Sequence, residues 1–171
     1  MAELIIDVSD LLRELGKELE IKMSKEFSPL NLGTREVKFA KPVDLNLTLE
    51  NVDSGVLAQG TAEGTLILQC NRCLKEFACP MKVKIEEIFC HPSKSQELEE
   101  SETFPIMGER VDLAPVIEQA FLLVIPMKVL CNPKCKGLCP ICGKNLNEGM
   151  CDCSKQEINS RFLILKKLLK K

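Results

Sequence analysis

Val43-Asp44-Leu45-Asn46-Leu47-Thr48-Leu49-Glu50-Asn51-Val52-Asp53-Ser54-Gly55-Val56-Leu57-Ala58 carries an apolar side chain at alternate positions, breaks at Asp53-Ser54-Gly55 and resumes at Val56 and Ala58. Successive side chains of a strand point to opposite faces, so a period of two marks a sheet with one face on a core. Asp, Ser and Gly are the residues a tight turn requires, and the stretch therefore reads as an antiparallel hairpin. The same period runs outward in both directions, through Val37 and Phe39 before it, then Leu66 and Leu68, then Met81, Val83, Ile85 and Ile88 after it. The expected class is α+β: a mainly antiparallel β-sheet with flanking helices.

The flanks are mixed. Leu4, Ile6 and Val8 alternate and predict a first strand, after which Ser9 is placed to cap a short helix through Leu15, stopped by Gly16. Asp112 is placed to cap a second helix. Its inward stripe would be Leu113, Val116, Ile117, Ala120, Phe121 and Val124, with Glu118 and Gln119 facing out and Pro126 ending it. Between sheet and helix, residues Ser93 to Thr103 are rich in Glu and Ser and predict a solvated loop. A final amphipathic helix would set Phe162, Leu165, Leu168 and Leu169 against Lys166, Lys167, Lys170 and Lys171.

With 45% hydrophobic and 28% charged residues in 171, the composition is that of a folded protein and excludes a disordered chain. The N-terminus has an early acid and no basic region ahead of an apolar stretch, so no secretory signal is expected. The longest apolar run, Ala120 to Met127, is 8 residues, against the roughly 20 that cross a bilayer. A cytoplasmic, reducing location is the expectation, and there ten cysteines point to metal rather than disulfides. The net charge of −2 conceals an asymmetry: residues 1–126 hold 13 basic and 22 acidic side chains, residues 127–171 hold 10 and 3. We expect a sheet domain over 1–126, with a cysteine knuckle at 70–73, and a cysteine-rich module over 127–171.

Six cysteines fall within the 23 residues from Cys131 to Cys153, a segment with too few large apolar side chains to fold without a staple. A Cys-x2-Cys turn presents two thiolates to one metal, and there are two such turns: Cys70-Asn71-Arg72-Cys73 and Cys139-Pro140-Ile141-Cys142. The second is completed most economically by Cys151 and Cys153. Cys131 and Cys135 then pair across the chain with Cys70 and Cys73, which gives two zinc ions and a zinc-ribbon-like C-terminal module beside the sheet, although the spacing also permits exchanged pairing. Cys79 and Cys90 are left as small core residues.

All-cysteine shells are closed, so the expected zinc is structural and the protein not an enzyme. Cys90 and His91 are adjacent, and in a strand such neighbours point to opposite faces, which argues against a nucleophile pair. Basic side chains crowd the cysteine clusters. Arg72, Lys134, Lys136 and Lys144 are the candidates for RNA phosphates, with the alternative that they balance the negative charge of metal thiolates. With seven Phe, no Tyr and no Trp, a base-stacking platform is not supported.

The string Cys131-x3-Cys135-Lys136-Gly137-Leu138-Cys139-Pro140-x-Cys142-Gly143-x-Asn145-Leu146-Asn147, followed by Cys151-x-Cys153 and Arg161-Phe162, resembles the YceD-like family of large ribosomal RNA accumulation proteins. Cys70-x-Arg72-Cys73 with Phe77, and Val111-Asp112-Leu113 leading through Glu118 and Leu122-Leu123 to Pro126, agree with it. The resemblance spans most of residues 70–165. It implies a bacterial or plastid protein needed for normal large-subunit ribosomal RNA levels, acting in ribosome assembly or rRNA processing without catalysis. Its partners would be ribosomal RNA or pre-ribosomal proteins, with no membrane and no small-molecule substrate. The rival readings are a protein-interaction adaptor holding structural zinc, and a thiol redox or metal-responsive protein using Cys70 and Cys73.

Overall fold

The computed structural model describes residues 3–33, 35–90 and 104–153. The elements are β1 (Ile5–Asp7), β2 (Glu18–Lys25), β3 (Leu30–Asn31), β4 (Glu36–Phe39), β5 (Val43–Val52), β6 (Gly55–Gln69), β7 (Glu76–Cys90), β8 (Phe104–Pro105), β9 (Arg110–Asp112) and α1 (Ala114–Val124). His91, the acidic stretch to Thr103, Lys155, Arg161 and the predicted terminal helix lie outside the described residues.

The opening hairpin forms as its alternation requires, with Val52 opposite Gly55 across Asp53-Ser54 and the ladder running back to Asp44 opposite Glu63. Gly55 is held at φ 150°, where a Cβ would strike the Phe89 carbonyl, which is why only glycine fits this corner. The two short runs read at Val56 and Leu66 are one strand. β6 spans 15 residues, about 50 Å of extended chain, and its even-numbered side chains stay on the core face throughout. β7 pairs along its whole length, from Val56 opposite Phe89 to Gln69 opposite Glu76. The other edge of β6 is shared, first by β5 and then by β4 at Lys38 opposite Ile67. β2 lies outside β5, and β8 adds in parallel to β7.

β1 pairs with β9, and the carboxylate of Asp112 accepts from the amides of Leu4 and Ala114 at 2.9 and 3.0 Å. Asp112 thus ties the start of the chain to the start of α1. The helix seats on β7, its Phe121 ring meeting Phe39 edge-on at 5.2 Å between centroids and lying over Gly64, where a Cβ would come within 3.0 Å of the ring. The absent side chain at Gly64 is what lets the helix approach the sheet. Fully buried Leu47, Leu49, Val56, Leu66, Ile85, Phe89, Leu113 and Ile117 fill the space between.

The structure corrects four sequence expectations. Residues 9–16 form turns and not a helix: after one four-residue bond from the Leu12 amide to the Val8 carbonyl, the Glu14 and Lys17 amides reach back only three residues, to the Leu11 and Glu14 carbonyls, and these also accept from the buried Asn51 side chain at 3.0 and 2.9 Å. β2 was missed although Leu19, Ile21 and Met23 alternate with charged neighbours along it; of the three only Ile21 is buried. Phe89 and not Ile88 is buried at the end of β7. On α1, the described residues' single helix, Val124 is exposed and Glu118 half-buried. Burial pushes the Glu118 carboxyl above its usual range, and its Oε1 has no hydrogen-bond partner among the described residues. No helix among them is long and apolar enough to cross a membrane.

Candidate metal centres

β6 and β7 end at a tip built by Cys70-Asn71-Arg72-Cys73. There the Leu74 amide donates to the Cys70 carbonyl at 3.0 Å, and the Cys70 amide donates to the Lys75 carbonyl at 2.9 Å. Leu74 is bent into the left-handed region, φ 58°, to make that turn. The second knuckle repeats it step for step: the Gly143 amide donates to the Cys139 carbonyl at 2.9 Å, the Cys139 amide to the Lys144 carbonyl at 2.8 Å, and Gly143 sits at φ 73°. Both turns leave backbone N–H groups aimed at sulfur. The Arg72 amide lies 3.5 Å from Cys70 Sγ.

Eight of the ten cysteines gather into two groups, Cys70, Cys73, Cys131 and Cys135 in one and Cys139, Cys142, Cys151 and Cys153 in the other. Within each, the four sulfurs lie inside 4.8 Å of one another. The exchanged pairing that the spacing allowed is therefore not the one the fold adopts. In the first group Cys70 Sγ is 3.8 Å from Cys135 Sγ and Cys73 Sγ 3.6 Å from Cys131 Sγ. A disulfide would bring sulfurs to about 2.05 Å. Four thiolates held about 2.3 Å from a central ion stand at tetrahedral edges of about 3.8 Å, and the observed spacing matches that figure. Both clusters could hold a metal ion, and their all-sulfur donor set suits a soft or borderline divalent cation.

The thiols are graded in acidity. The Cys131 amide, with those of Cys73 and Arg72, holds the Cys70 thiol down at about 6. The amides of Cys142 and Ile141 hold Cys139 at about 6. Cys131, sharing its proton with Cys73, and Cys153, sharing with Cys142, are pushed up to about 12. Burial opposes ionisation of Cys135, but the Asn147 side chain and the Gly137 amide hold its thiol below the ordinary range. Each cluster thus sets a readily ionised sulfur beside one that resists, because a buried thiol sharing its proton with a neighbouring sulfur keeps that proton.

The clusters differ in depth. Cys70, Cys73 and Cys135 are buried and packed by Phe77, Leu130 and Leu138, whereas in the second group only Cys139 is buried and Cys142 is exposed. The first group spans the chain. Around it the Asn71 amide donates to the Val129 carbonyl at 2.8 Å and the Leu138 amide to the Arg72 carbonyl at 3.2 Å, so the hairpin tip and residues 129–138 are bound together. Of the remaining cysteines, Cys90 is buried beside the Ser54 carbonyl and Cys79 is half-buried on β7.

The four basic candidates are all exposed, but they do not stand alike. Arg72 Nη1 donates to the Cys135 carbonyl at 2.7 Å, which sets its guanidinium against the first cluster, and Lys134 and Lys136 flank that same cysteine. Lys144 donates to the Met150 carbonyl at 3.0 Å and so closes the loop of the second cluster. Sequence reading missed Asn147, whose side-chain nitrogen lies 3.3 Å from Cys135 Sγ. Only its place in an Asn145-x-Asn147 pair between two cysteine pairs could have pointed to it.

A family model described as large ribosomal RNA subunit accumulation protein YceD matches residues 58–169. A protein of Mycobacterium tuberculosis strain H37Rv is 32% identical over 142 residues, covering 81% of this chain and 68% of its own. YlbN of Bacillus subtilis is 24% identical over 161 residues, 93% of each chain. The chloroplastic large ribosomal RNA subunit accumulation protein YCED homolog 1 of Arabidopsis thaliana is 37% identical over 54 residues, 32% of this chain and 17% of that protein. No solved structure matches.

Proposed function

Because the chain belongs to the YceD family of large ribosomal RNA subunit accumulation proteins, we propose that it is a non-catalytic factor of ribosome biogenesis that holds two structural zinc ions and supports the accumulation of large-subunit ribosomal RNA. The observation that carries the zinc reading is the sulfur spacing of 3.6 and 3.8 Å. Four thiolates per ion complete a tetrahedral shell, leaving no position for substrate or an activated water, so zinc here serves to hold structure. Cys70, Cys73, Cys131 and Cys135 would hold one ion and Cys139, Cys142, Cys151 and Cys153 the other.

The RNA-binding surface is the exposed basic rim of the first cluster. Arg72 bonds the Cys135 carbonyl, exposed Lys134 and Lys136 flank Cys135 in sequence, and none of the ion pairs among the described residues involves the three. A four-thiolate zinc site carries a net charge near −2, which they offset in part, and the rest of their field is available to phosphate. Elemental analysis of the reduced protein is expected to give two zinc per chain. Binding to fragments of large-subunit ribosomal RNA is expected to weaken steeply with salt, and Lys134→Ala with Lys136→Ala to lower the salt slope by about one for each phosphate that is no longer neutralised. A metal-free protein would end the zinc reading, and salt-insensitive or absent RNA binding by the wild type would end the RNA reading.

A further inference from the structure

Asn147 sits on the eight-residue loop between Cys142 and Cys151 of the second cluster, yet its side chain serves the first. Its Oδ1 accepts from the Lys136 amide at 2.8 Å, and since a backbone N–H can only donate, that side of the carboxamide must be the oxygen. The nitrogen is thereby fixed toward Cys135, where it stands 3.3 Å from Sγ while also donating to Asn145 Oδ1 at 2.8 Å. The Asn147 amide donates to the same Asn145 oxygen at 3.1 Å, and the Leu146 amide to the Gly137 carbonyl at 2.9 Å. Both donors and the acceptor of the carboxamide are in use. The loop is thus anchored beside the first cluster, while its two ends, Cys142 and Cys151, belong to the second.

On the reading that both clusters bind zinc, we propose that Asn147 is a positioning residue that couples the two metal centres: loading of the second site fixes the loop, and the loop delivers an N–H to a sulfur of the first. A donor to a metal-bound thiolate stabilises its charge, and removing such an outer partner costs about 10–100-fold in metal affinity. The first site therefore binds more tightly when the second is full. By linkage, the second gains the same factor from the first.

The test uses the full reduced chain, a competing chelator, native mass spectrometry to count ions, and alkylation mapped by peptide mass to show which cysteines have lost their metal. Asn147→Ala is expected to expose Cys70, Cys73, Cys131 and Cys135 at about 10–100-fold lower chelator strength than in the wild type and, by the same linkage, to lower the strength at which Cys139, Cys142, Cys151 and Cys153 lose their metal. Asn147→Asp keeps an oxygen for the Lys136 amide but turns a carboxylate toward Cys135 in place of the donor, so a loss at least as large as in Asn147→Ala assigns the effect to the group facing the sulfur, whereas recovery in Asn147→Asp would assign it to loop anchoring and overturn the proposal. Emptying the second site with Cys142→Ser and Cys151→Ser is expected to weaken the first comparably, and adding Asn147→Ala there to change it little further. Wild-type affinity at the first site in both Asn147 variants overturns the coupling, as does an Asn147 effect that persists in full when the second site is empty. A wild-type chain that binds no zinc fails at the earlier step and is recognised by its ion count alone.

Discussion

At the scale of single residues, the two knuckles invite a direct comparison, because the same hydrogen bonds surround Leu74 at φ 58° and Gly143 at φ 73°. A left-handed conformation costs an L-residue roughly 1–2 kcal/mol, and glycine returns part of that through the freedom of its unfolded chain. Leu74 is 52% exposed and gives up little packing if removed. Leu74→Gly is therefore expected to raise the stability of the protein by about 0.5–1 kcal/mol, read as a shift of the denaturant midpoint, and a lower midpoint would show that the packing of the Leu74 side chain outweighs its strain. Acidity belongs to this scale too. Cys70 and Cys139 are held at about 6, below the ordinary thiol, so the stabilisation of their thiolates is present above the unfolded value and disappears as pH falls through about 6. If the clusters hold zinc as proposed, its affinity is expected to fall as pH falls, with uptake of protons by the released thiolates, followed with a chromogenic chelator. Release that ignores pH would argue against thiolate ligation.

Among the elements, the turn segment 9–16 shows how a polar side chain replaces a helix. Asn51 donates to the carbonyls of Leu11 and Glu14 and, through its backbone, accepts from the Gly16 amide at 2.8 Å and donates to the Lys17 carbonyl at 3.0 Å. A sheet residue thus takes the carbonyls that a helix would have used internally. Asn51→Ala leaves them only the longer bonds from the Glu14 and Lys17 amides, 3.4 and 3.3 Å, and is expected to cost about 1–3 kcal/mol in equilibrium unfolding, while a neutral change would mean that water reaches the turn. The long β6–β7 pair works as a lever in the same sense: its core-side alternation fixes its base against α1, and its tip is carried to the point where Cys70 and Cys73 meet Cys131 and Cys135.

For the molecule as a whole, two kinds of cohesion divide the chain. Strands β5 and β6 and helix α1 are held by fully buried apolar side chains and by ladder hydrogen bonds, whereas around the clusters the packing is limited to Phe77, Leu130 and Leu138 against the first. Chelation of the metal is expected to leave amides of β5 and of the first half of β6 protected from hydrogen exchange, while those of residues 70–75 and 129–150 exchange rapidly. Uniform loss of protection would mean that the sheet itself depends on metal. Uniform retention would mean that the cysteine-rich segment stands without it.

Much of this was legible before any coordinates. Period-two alternation along Val43–Ala58 and onward is dictated by the pleat of a strand, so the antiparallel sheet follows from local pattern, as does α1 from its 3.6-residue stripe ending ahead of Pro126. Eight cysteines in ligand-like pairs, and the YceD family to which the chain belongs, were likewise readable from residue identity and spacing. Spacing could not choose which pairs share a site, because a Cys-x2-Cys turn is satisfied by any second pair; only the reach of the β6–β7 hairpin to residues 131–135 decides it. Nor could the sequence show that residues 9–16 surrender their carbonyls to Asn51, or that Asn147 crosses from one cluster to the other. Those hydrogen bonds join groups whose proximity is a consequence of the packed whole.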